Sequence, residues 1–169
     1  MRYKIFQLSL VTLVLILITS CKTIFTGEMK IKLESNNIDL SKIQYYNSSK
    51  ITLTRTLLDS ESDVENGRIK LENGKRIQVI VLKKNTPGAL SEAGDSFMDL
   101  HFEKGENRDL QFKFIPERDN FQFAEESVLY EGNWFKVSHG SIPKIKVKKK
   151  DLSKTIKELR RIKGVKVAG

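Results

Sequence analysis

Cys21 is the residue of this chain whose side chain is best suited to covalent chemistry. It is the only cysteine among 169 residues, and a thiolate is a good soft nucleophile. An apolar run from Ile5 to Ile18, interrupted by three polar residues, leads to it. A thiol at the end of such a run lies at the boundary between lipid and water, where a lipid group can be transferred to it.

The flanks of the apolar run are those of a secretory signal. Arg2 and Lys4 give a basic start, and Ile18, Thr19 and Ser20 stand directly before the cysteine. A basic start, a short apolar stretch and small residues before a cut are typical of signal peptides. This layout resembles the lipoprotein signal of bacteria, whose lipobox has an aliphatic residue three places before the cysteine and small residues directly before it.

The resemblance covers residues 1–21 and implies how the chain is processed. It implies a thioether from Cys21 to diacylglycerol, cleavage between Ser20 and Cys21, and a mature protein held on a membrane by its lipid. Two or more acyl chains anchor a protein stably, whereas one chain binds only marginally. The family associates Asp after the lipidated cysteine with retention in the inner membrane, and here Lys22 follows it. We therefore expect a location in the cell envelope, on the outer membrane rather than the inner membrane.

Two other interpretations of the N-terminus fit less well. An uncleaved transmembrane anchor needs about 20 residues to cross the hydrocarbon core, and residues 5–20 are shorter than that. Ordinary signal cleavage requires a small residue three places before the cut, and Ile18 is large.

The charge of the chain is concentrated at its C-terminal end. Residues 144–169 contain eleven Lys or Arg and two acids. Their net charge is therefore +9, the same as that of the whole chain. Residues 21–143 contain 17 basic and 19 acidic residues, so this part is close to neutral. Such an asymmetry is typical of a globular body with a basic interaction segment.

The basic end is the second candidate site. Its functional interpretation is contact with an anionic lipid, a glycan or wall polymer, or an envelope protein, and each Lys or Arg near an anionic membrane contributes about 1 kcal/mol. The structural interpretation is a final edge strand protected from aggregation by lysines, followed by a helix with solvated charges. Both stay open. Nucleic acid fits the charge, but the export signal argues against it. The candidate contact residues are Lys148, Lys149, Lys150, Lys154, Lys157, Arg160 and Arg161.

The sequence offers little for catalysis or metal binding. His101 and His139 are the only histidines and belong to different predicted hairpins. No nucleophile motif, phosphate-binding glycine loop or zinc-ligand spacing is present. The acidic loop 59–67 departs from the calcium-binding EF-hand pattern, because Val64 and Lys70 occupy the places of its Gly and Glu. We therefore expect no cofactor, no metal and a non-enzymatic domain, with an envelope hydrolase built on carboxylates as an alternative.

The elements that must hold these residues are mostly strands. Apolar residues alternate with polar ones over 29–34 and 51–57, and Asn73-Gly74 separates two further alternating runs, which is a strong hairpin signal. Thr86-Pro87-Gly88 and residues 105–107 and 131–133 supply further turn chemistry. About eight to ten short antiparallel strands with turns between them predict an all-β fold, either a sandwich or a small barrel.

One short amphipathic helix is predicted at the C-terminal end. Asp151 would cap it and Gly164 would end it, and its apolar stripe consists of Leu152, Ile156, Leu159 and Ile162. The expected organisation is a signal peptide over residues 1–20, a lipidated tether over 21–28, a β-rich domain over 29–149, and a basic helix and tail over 150–169.

The Asn-Gly hairpin, the Thr-Pro-Gly turn and residues 130–150 are similar to uncharacterised small lipoproteins of the Bacteroidetes kind. That similarity implies no particular activity. We expect a membrane-anchored lipoprotein of the cell envelope that acts as a non-enzymatic binding or accessory domain. The alternative is an envelope structural protein that contacts anionic lipid, glycan or wall polymer through its basic end.

The lipoprotein hypothesis is tested by replacing the nucleophile. In Cys21→Ser the hydroxyl is too poor a nucleophile to accept the lipid, so we expect either release from the membrane or an uncleaved precursor. Fractionation, gel mobility and labelling with a radioactive fatty acid measure these outcomes. Unchanged processing and unchanged lipid labelling of the variant would contradict the hypothesis.

Overall fold

The chain folds into two antiparallel sheets, and the arrangement is consistent with a β-sandwich, as predicted. The computed structural model describes residues 22–58 and 68–153. Within these ranges twelve strands are present rather than eight to ten: β1 Lys22–Ile24, β2 Tyr45–Asn47, β3 Ile51–Thr56, β4 Arg68–Glu72, β5 Lys75–Leu82, β6 Pro87–Ala93, β7 Phe97–His101, β8 Asp109–Ile115, β9 Asn120–Gln122, β10 Ser127–Tyr130, β11 Asn133–Ser138 and β12 Ile145–Lys148.

The larger sheet has the strand order β1-β12-β2-β6-β7-β8-β9, and the smaller sheet has the order β10-β11-β3-β5-β4. The larger sheet curls, so that its last strand returns to the start of β12. Gln122 of β9 forms a bridge with Lys144, and the backbone N–H of Phe123 donates to the carbonyl oxygen of Pro143 at 2.9 Å. β12 is therefore an interior strand with neighbours on both sides, and its prediction as an edge strand was wrong.

The chain enters the larger sheet at residue 22, where a tether over 21–28 was predicted. β1 pairs with β12, with Lys22 opposite Lys148 and Ile24 opposite Lys146. The backbone N–H of Phe25 continues the pairing by donating to Ile145 at 2.9 Å. Three residues are too few to show a strand period in the sequence, and their partner strand lies at the other end of the chain.

The alternating residues 29–34, predicted as a strand, belong to helix α1, Gly27–Ser35. Thr26 caps the helix, because its hydroxyl oxygen accepts from the backbone N–H of Met29 at 3.1 Å. Leu33 is buried, whereas Ile31 is 67% exposed, so the apparent alternation does not define a buried face. The composition of this segment favours helix once a cap is available.

A helix at the C-terminal end is confirmed. It begins at Lys149 and is described as far as Ser153. Asp151 therefore lies in the first turn and is not the cap that was predicted. Leu152 is partly buried against the core, as its place on the apolar stripe predicted. The other stripe residues and the predicted stop at Gly164 lie outside the described residues.

The predicted hairpin turns are largely confirmed. Asn73 and Gly74 both have positive φ, 50° and 73°, and connect β4 to β5. Residues 131 and 132 connect β10 to β11, Asn133 already belongs to β11, and residues 105–107 lie between β7 and β8. The turn expected at Thr86-Pro87-Gly88 lies earlier in the chain: Asn85 has the positive φ, 65°, and Pro87 begins β6.

The core between the sheets is rich in aromatic side chains. Phe25 is fully buried, and its ring lies 5.5 Å from that of Tyr45 in an edge-to-face arrangement and 6.0 Å from that of Phe121. The hydroxyl of Tyr45 donates to the carbonyl oxygen of Leu40 at 3.0 Å, so its polar group is satisfied in the core. Phe25 thus fixes the segment between β1 and α1 to the interior.

Truncation of Phe25 tests this packing. Because the side chain is fully buried, we expect Phe25→Ala to lower the free energy of unfolding by about 3–5 kcal/mol. Ile31→Ala is the matched control, since Ile31 is mostly exposed and should change stability by less than about 0.5 kcal/mol. Urea unfolding followed by circular dichroism measures both variants, and equal losses would contradict the assignment of Phe25 to the core.

Candidate binding surfaces

The first candidate surface is a group of three lysines around Tyr46, here called the lysine cluster. Its members are Lys22 on β1 and Lys146 and Lys148 on β12. Lys22 lies directly opposite Lys148 across the β1–β12 ladder, and Tyr46 lies opposite Lys146 across the β12–β2 ladder. Side chains that face each other in register lie on the same face of a sheet. Because Ile145 and Val147 point into the core with no exposure, the lysines between and beyond them point outward.

The ring of Tyr46 lies close to two of the three ammonium groups. The ammonium nitrogen of Lys22 lies 3.7 Å from the centroid of its ring, and that of Lys148 lies 5.4 Å from it. Both distances are within the range of cation–π attraction. A hydrogen bond from Lys148 to Tyr46 also raises the pKa of Lys148.

The lysine cluster is electrostatically unfavourable on its own. Partial burial lowers the pKa of Lys22, and the charges of Lys148 and Lys146 lower it further. Across the described ranges no carboxylate forms an ion pair with any of the three ammonium groups. Asp151 acts only at longer range, by raising the pKa of Lys148. The strand pairing and the ring of Tyr46 therefore keep three positively charged side chains close to one another.

The second candidate surface is the outer face of the smaller sheet, here called the tryptophan face. Trp134 is the only tryptophan of the chain and is 68% exposed on β11, with Leu129 49% exposed on the neighbouring strand. A groove of about 640 Å³ runs beside Trp134. Its remaining lining residues are Thr52, Thr54, Arg55, Thr56, Leu58, Lys70, Glu72, Ile77, Val79, Asn133 and Lys136.

The strand period places these residues outward. On β3, Ile51 and Leu53 are buried and Thr52 and Thr54 lie between and beyond them. On β11, Phe135 is 1% exposed and its ring packs against the core, so Trp134 must point to the opposite face. Threonine is a β-branched residue that suits a strand while presenting a hydroxyl to solvent.

Polar and charged side chains meet on the outer face of the larger sheet, without forming a catalytic triad. The Ser91 hydroxyl donates to the carboxylate of Asp109 at 2.6 Å, and Nδ1 of His101 lies 3.8 Å from the same carboxylate. A nucleophilic triad requires the histidine between the serine and the acid, and here the acid lies between the other two. His139 lies between β11 and β12, outside this group.

One group of converging acids is neutralised by an arginine. Arg108 lies 3.0 Å from the carboxylate of Glu131 and 3.9 Å from that of Glu103. The hydroxyl of Tyr130 donates to Glu103 at 2.7 Å, and burial together with this contact raises the pKa of Tyr130. These residues connect the loop before β8 to the β10–β11 hairpin and so join the two sheets. Nowhere in residues 22–58 or 68–153 do three or more His, Cys, Asp or Glu side chains form a group that could hold a metal.

Part of the predicted sites lies within the described chain. Lys148 belongs to the lysine cluster, and Lys149 and Lys150 are exposed at the start of the C-terminal helix. Four predicted contact residues lie outside the described residues: Lys154, Lys157, Arg160 and Arg161. Ser20, Cys21 and the acidic loop 59–67 lie outside them as well.

Sequence reasoning missed Lys22, Tyr46 and Lys146 as members of one site. Their only common signal is nonlocal strand pairing, which a single sequence does not display. Trp134 directly follows the predicted turn at 131–133, and no signal in the sequence marked it as the centre of an exposed face.

No protein-family model, curated protein or solved structure matches this chain. Among the described helices, none is long and apolar enough to cross a membrane.

A half-buried acid on the larger sheet gives a pH-dependent prediction. Partial burial is the main cause that raises the pKa of Asp99; a hydrogen bond with Gln111 opposes it, and Glu92 and Asp109 raise the pKa further. Its Oδ1 has no hydrogen-bond partner. A raised folded-state pKa means that the folded protein binds the proton more tightly. Stability is therefore lost as the pH rises from the ordinary pKa of Asp to the raised one.

We expect Asp99→Asn to raise the free energy of unfolding at pH 7 relative to the parent protein, because it removes an ionised, poorly solvated carboxylate. At pH 3, where the parent carboxylate is largely protonated, the gain should shrink. Urea unfolding at both pH values measures the difference. Asp95→Asn, in the exposed turn before β7, is the control, and an equal gain for Asp99→Asn at both pH values would contradict the assignment.

Proposed function

We propose that this protein is a lipid-anchored lipoprotein of the cell envelope whose β domain is a non-enzymatic binding or accessory module. The anchor part of the proposal rests on the signal-like residues 1–21, and β1 follows with Lys22. A lipid on Cys21 would be one residue away from an ordered strand, and consecutive Cα atoms are about 3.8 Å apart. The domain would therefore be held directly against the bilayer surface.

The binding part of the proposal rests on one observation, the exposure of the tryptophan face. Trp134 and Leu129 expose large apolar surfaces side by side, and the adjoining groove is lined by threonines and two lysines. Contiguous exposed apolar surface marks interaction sites on soluble domains, and tryptophan is enriched among residues that dominate binding energies.

The groove chemistry favours binding over hydrolysis. Glu72 is its single carboxylate among the described lining residues, and Lys70 and Lys136 provide positive charge. Glycoside hydrolysis requires a pair of carboxylates across the scissile bond, which this lining does not provide. The threonine hydroxyls and the indole ring are instead suited to hydrogen bonding and stacking with a polar ligand or a partner loop.

A second candidate function is a structural one, in which the basic end contacts an anionic component of the envelope. The lysine cluster favours it, because β12 brings Lys146 and Lys148 to the side of Lys22. The two functions use different sheets and can therefore be tested separately.

The tryptophan face is tested by comparing two exposed apolar truncations. The lipoprotein is cross-linked in cells, extracted in mild detergent and sized as wild type, Trp134→Ala and Ile31→Ala. Trp134 and Ile31 are 68% and 67% exposed, so the variants remove similarly exposed apolar groups from different faces.

We expect a discrete complex in the wild type and in Ile31→Ala that is lost in Trp134→Ala, because only the latter removes the centre of the face. Identical profiles for all three proteins would contradict the proposal.

A further inference from the structure

We propose that the lysine cluster of Lys22, Lys146 and Lys148 binds the phosphate of an anionic phospholipid headgroup in the membrane that carries the anchor. This inference rests on the lipid anchor proposed above. It adds a second, noncovalent contact between the domain and the bilayer and names the chemistry of its partner.

The first argument is electrostatic. Like charges directly opposite each other on neighbouring strands destabilise a sheet, and Lys22 and Lys148 occupy such positions. Burial and repulsion from Lys148 and Lys146 already lower the pKa of Lys22. An anion placed among the three ammonium groups would turn this repulsion into attraction.

The second argument is chemical. Three ammonium groups offer several N–H donors to the oxygens of one phosphate, and hydrogen bonds between ions are roughly twice as strong as neutral ones. Tyr46 holds two of the lysines over its ring and so reduces the freedom that they would lose on binding. Tyr46 is itself only 7% exposed, so its ring supports the lysine side chains, and the phosphate would contact the ammonium groups.

The third argument is the position of the cluster. Lys22 follows Cys21 directly, and acyl chains on that cysteine would fix the residue at the headgroup level. Lys149 and Lys150 are exposed immediately after Lys148 and extend the positive surface. Glycans and acidic proteins could supply negative charge too, but the anchor brings only the membrane to this place without a further binding step.

The experiment measures the reactivity of individual lysines in the lipidated full-length product. The native lipoprotein is reconstituted into neutral phosphatidylcholine vesicles and into vesicles that also contain phosphatidylglycerol. A brief treatment with an amine-acetylating reagent, followed by mass spectrometry, gives the modification rate of each lysine. Lys75 at the start of β5 and Lys84 in the turn after β5 are exposed, lie outside both candidate surfaces and are internal controls.

We expect the rates of Lys22, Lys146 and Lys148 to fall several-fold in vesicles with phosphatidylglycerol compared with neutral vesicles, and to recover in high salt. The rates of Lys75 and Lys84 should be the same in both vesicles. The double variant Lys146→Gln/Lys148→Gln should lose the protection of Lys22, whereas Lys75→Gln/Lys84→Gln should keep it.

Equal rates of the cluster lysines in the two vesicle types overturn the inference. Equal protection in both types also overturns it, because it shows shielding by the anchor or by neutral lipid and not recognition of phosphate charge. The mass of the N-terminal peptide separates the two proposals. Lipidated protein without anion-dependent protection overturns this inference alone, whereas an unlipidated Cys21 overturns the anchor and this inference together.

Discussion

The fold depends on the pairing of β12 with strands on both of its sides. This four-residue strand lies between β1 and β2, and its inward residues Ile145 and Val147 are fully buried. Just before it, the backbone N–H of Lys144 donates to the hydroxyl of Ser48 at 2.8 Å, and Lys144 forms the bridge that brings β9 back to this point. A strand from the basic end therefore closes the larger sheet and fixes the first residues after Cys21. Any deletion designed to remove the basic charges must leave residues through 148 in place, because an earlier end would remove part of this closure.

The position of β12 changes the meaning of its lysines. An edge strand uses lysines to prevent pairing with other chains, but β12 is covered on both sides and needs no such protection. Alternation alone puts Lys146 and Lys148 on the outer face, where any polar side chain would be compatible with the strand. Lysine at both positions, with Lys148 directly opposite Lys22 on β1, adds to the effect of burial a repulsion that lowers the pKa of Lys22 and that threonine or glutamine would not add. This excess of like charge gives the cluster a functional interpretation that the strand itself does not require.

Local signals in the sequence predicted the hairpins and the fold class, whereas the composition of the two candidate surfaces depends on nonlocal strand pairing. Asn73-Gly74 specifies its turn because both residues must accept positive φ, and no distant residue alters that requirement. β1 is different: three residues carry no period, and only β12 explains them. In residues 29–34 a local signal was misleading: apolar and polar residues do alternate there, but the segment forms a helix because Thr26 caps it and the helix packs on the core. Trp134 and the lysine cluster could be assigned to surfaces only after the two sheets and their register were known.

The two candidate surfaces belong to different sheets, and this separation makes anchoring and binding compatible. In a sandwich the inner faces pack on each other, so the outer faces of the two sheets point away from the core in different directions. If the lysine cluster meets the headgroups, it does so on the larger sheet, and the tryptophan face of the smaller sheet stays accessible to a partner. The Arg108–Glu131 ion pair and the Tyr130–Glu103 hydrogen bond tie the hairpin that carries Trp134 to the loop before β8. The tryptophan face is thereby fixed relative to the larger sheet, and the short anchor proposed at Cys21 would then orient the groove as well as retain the protein.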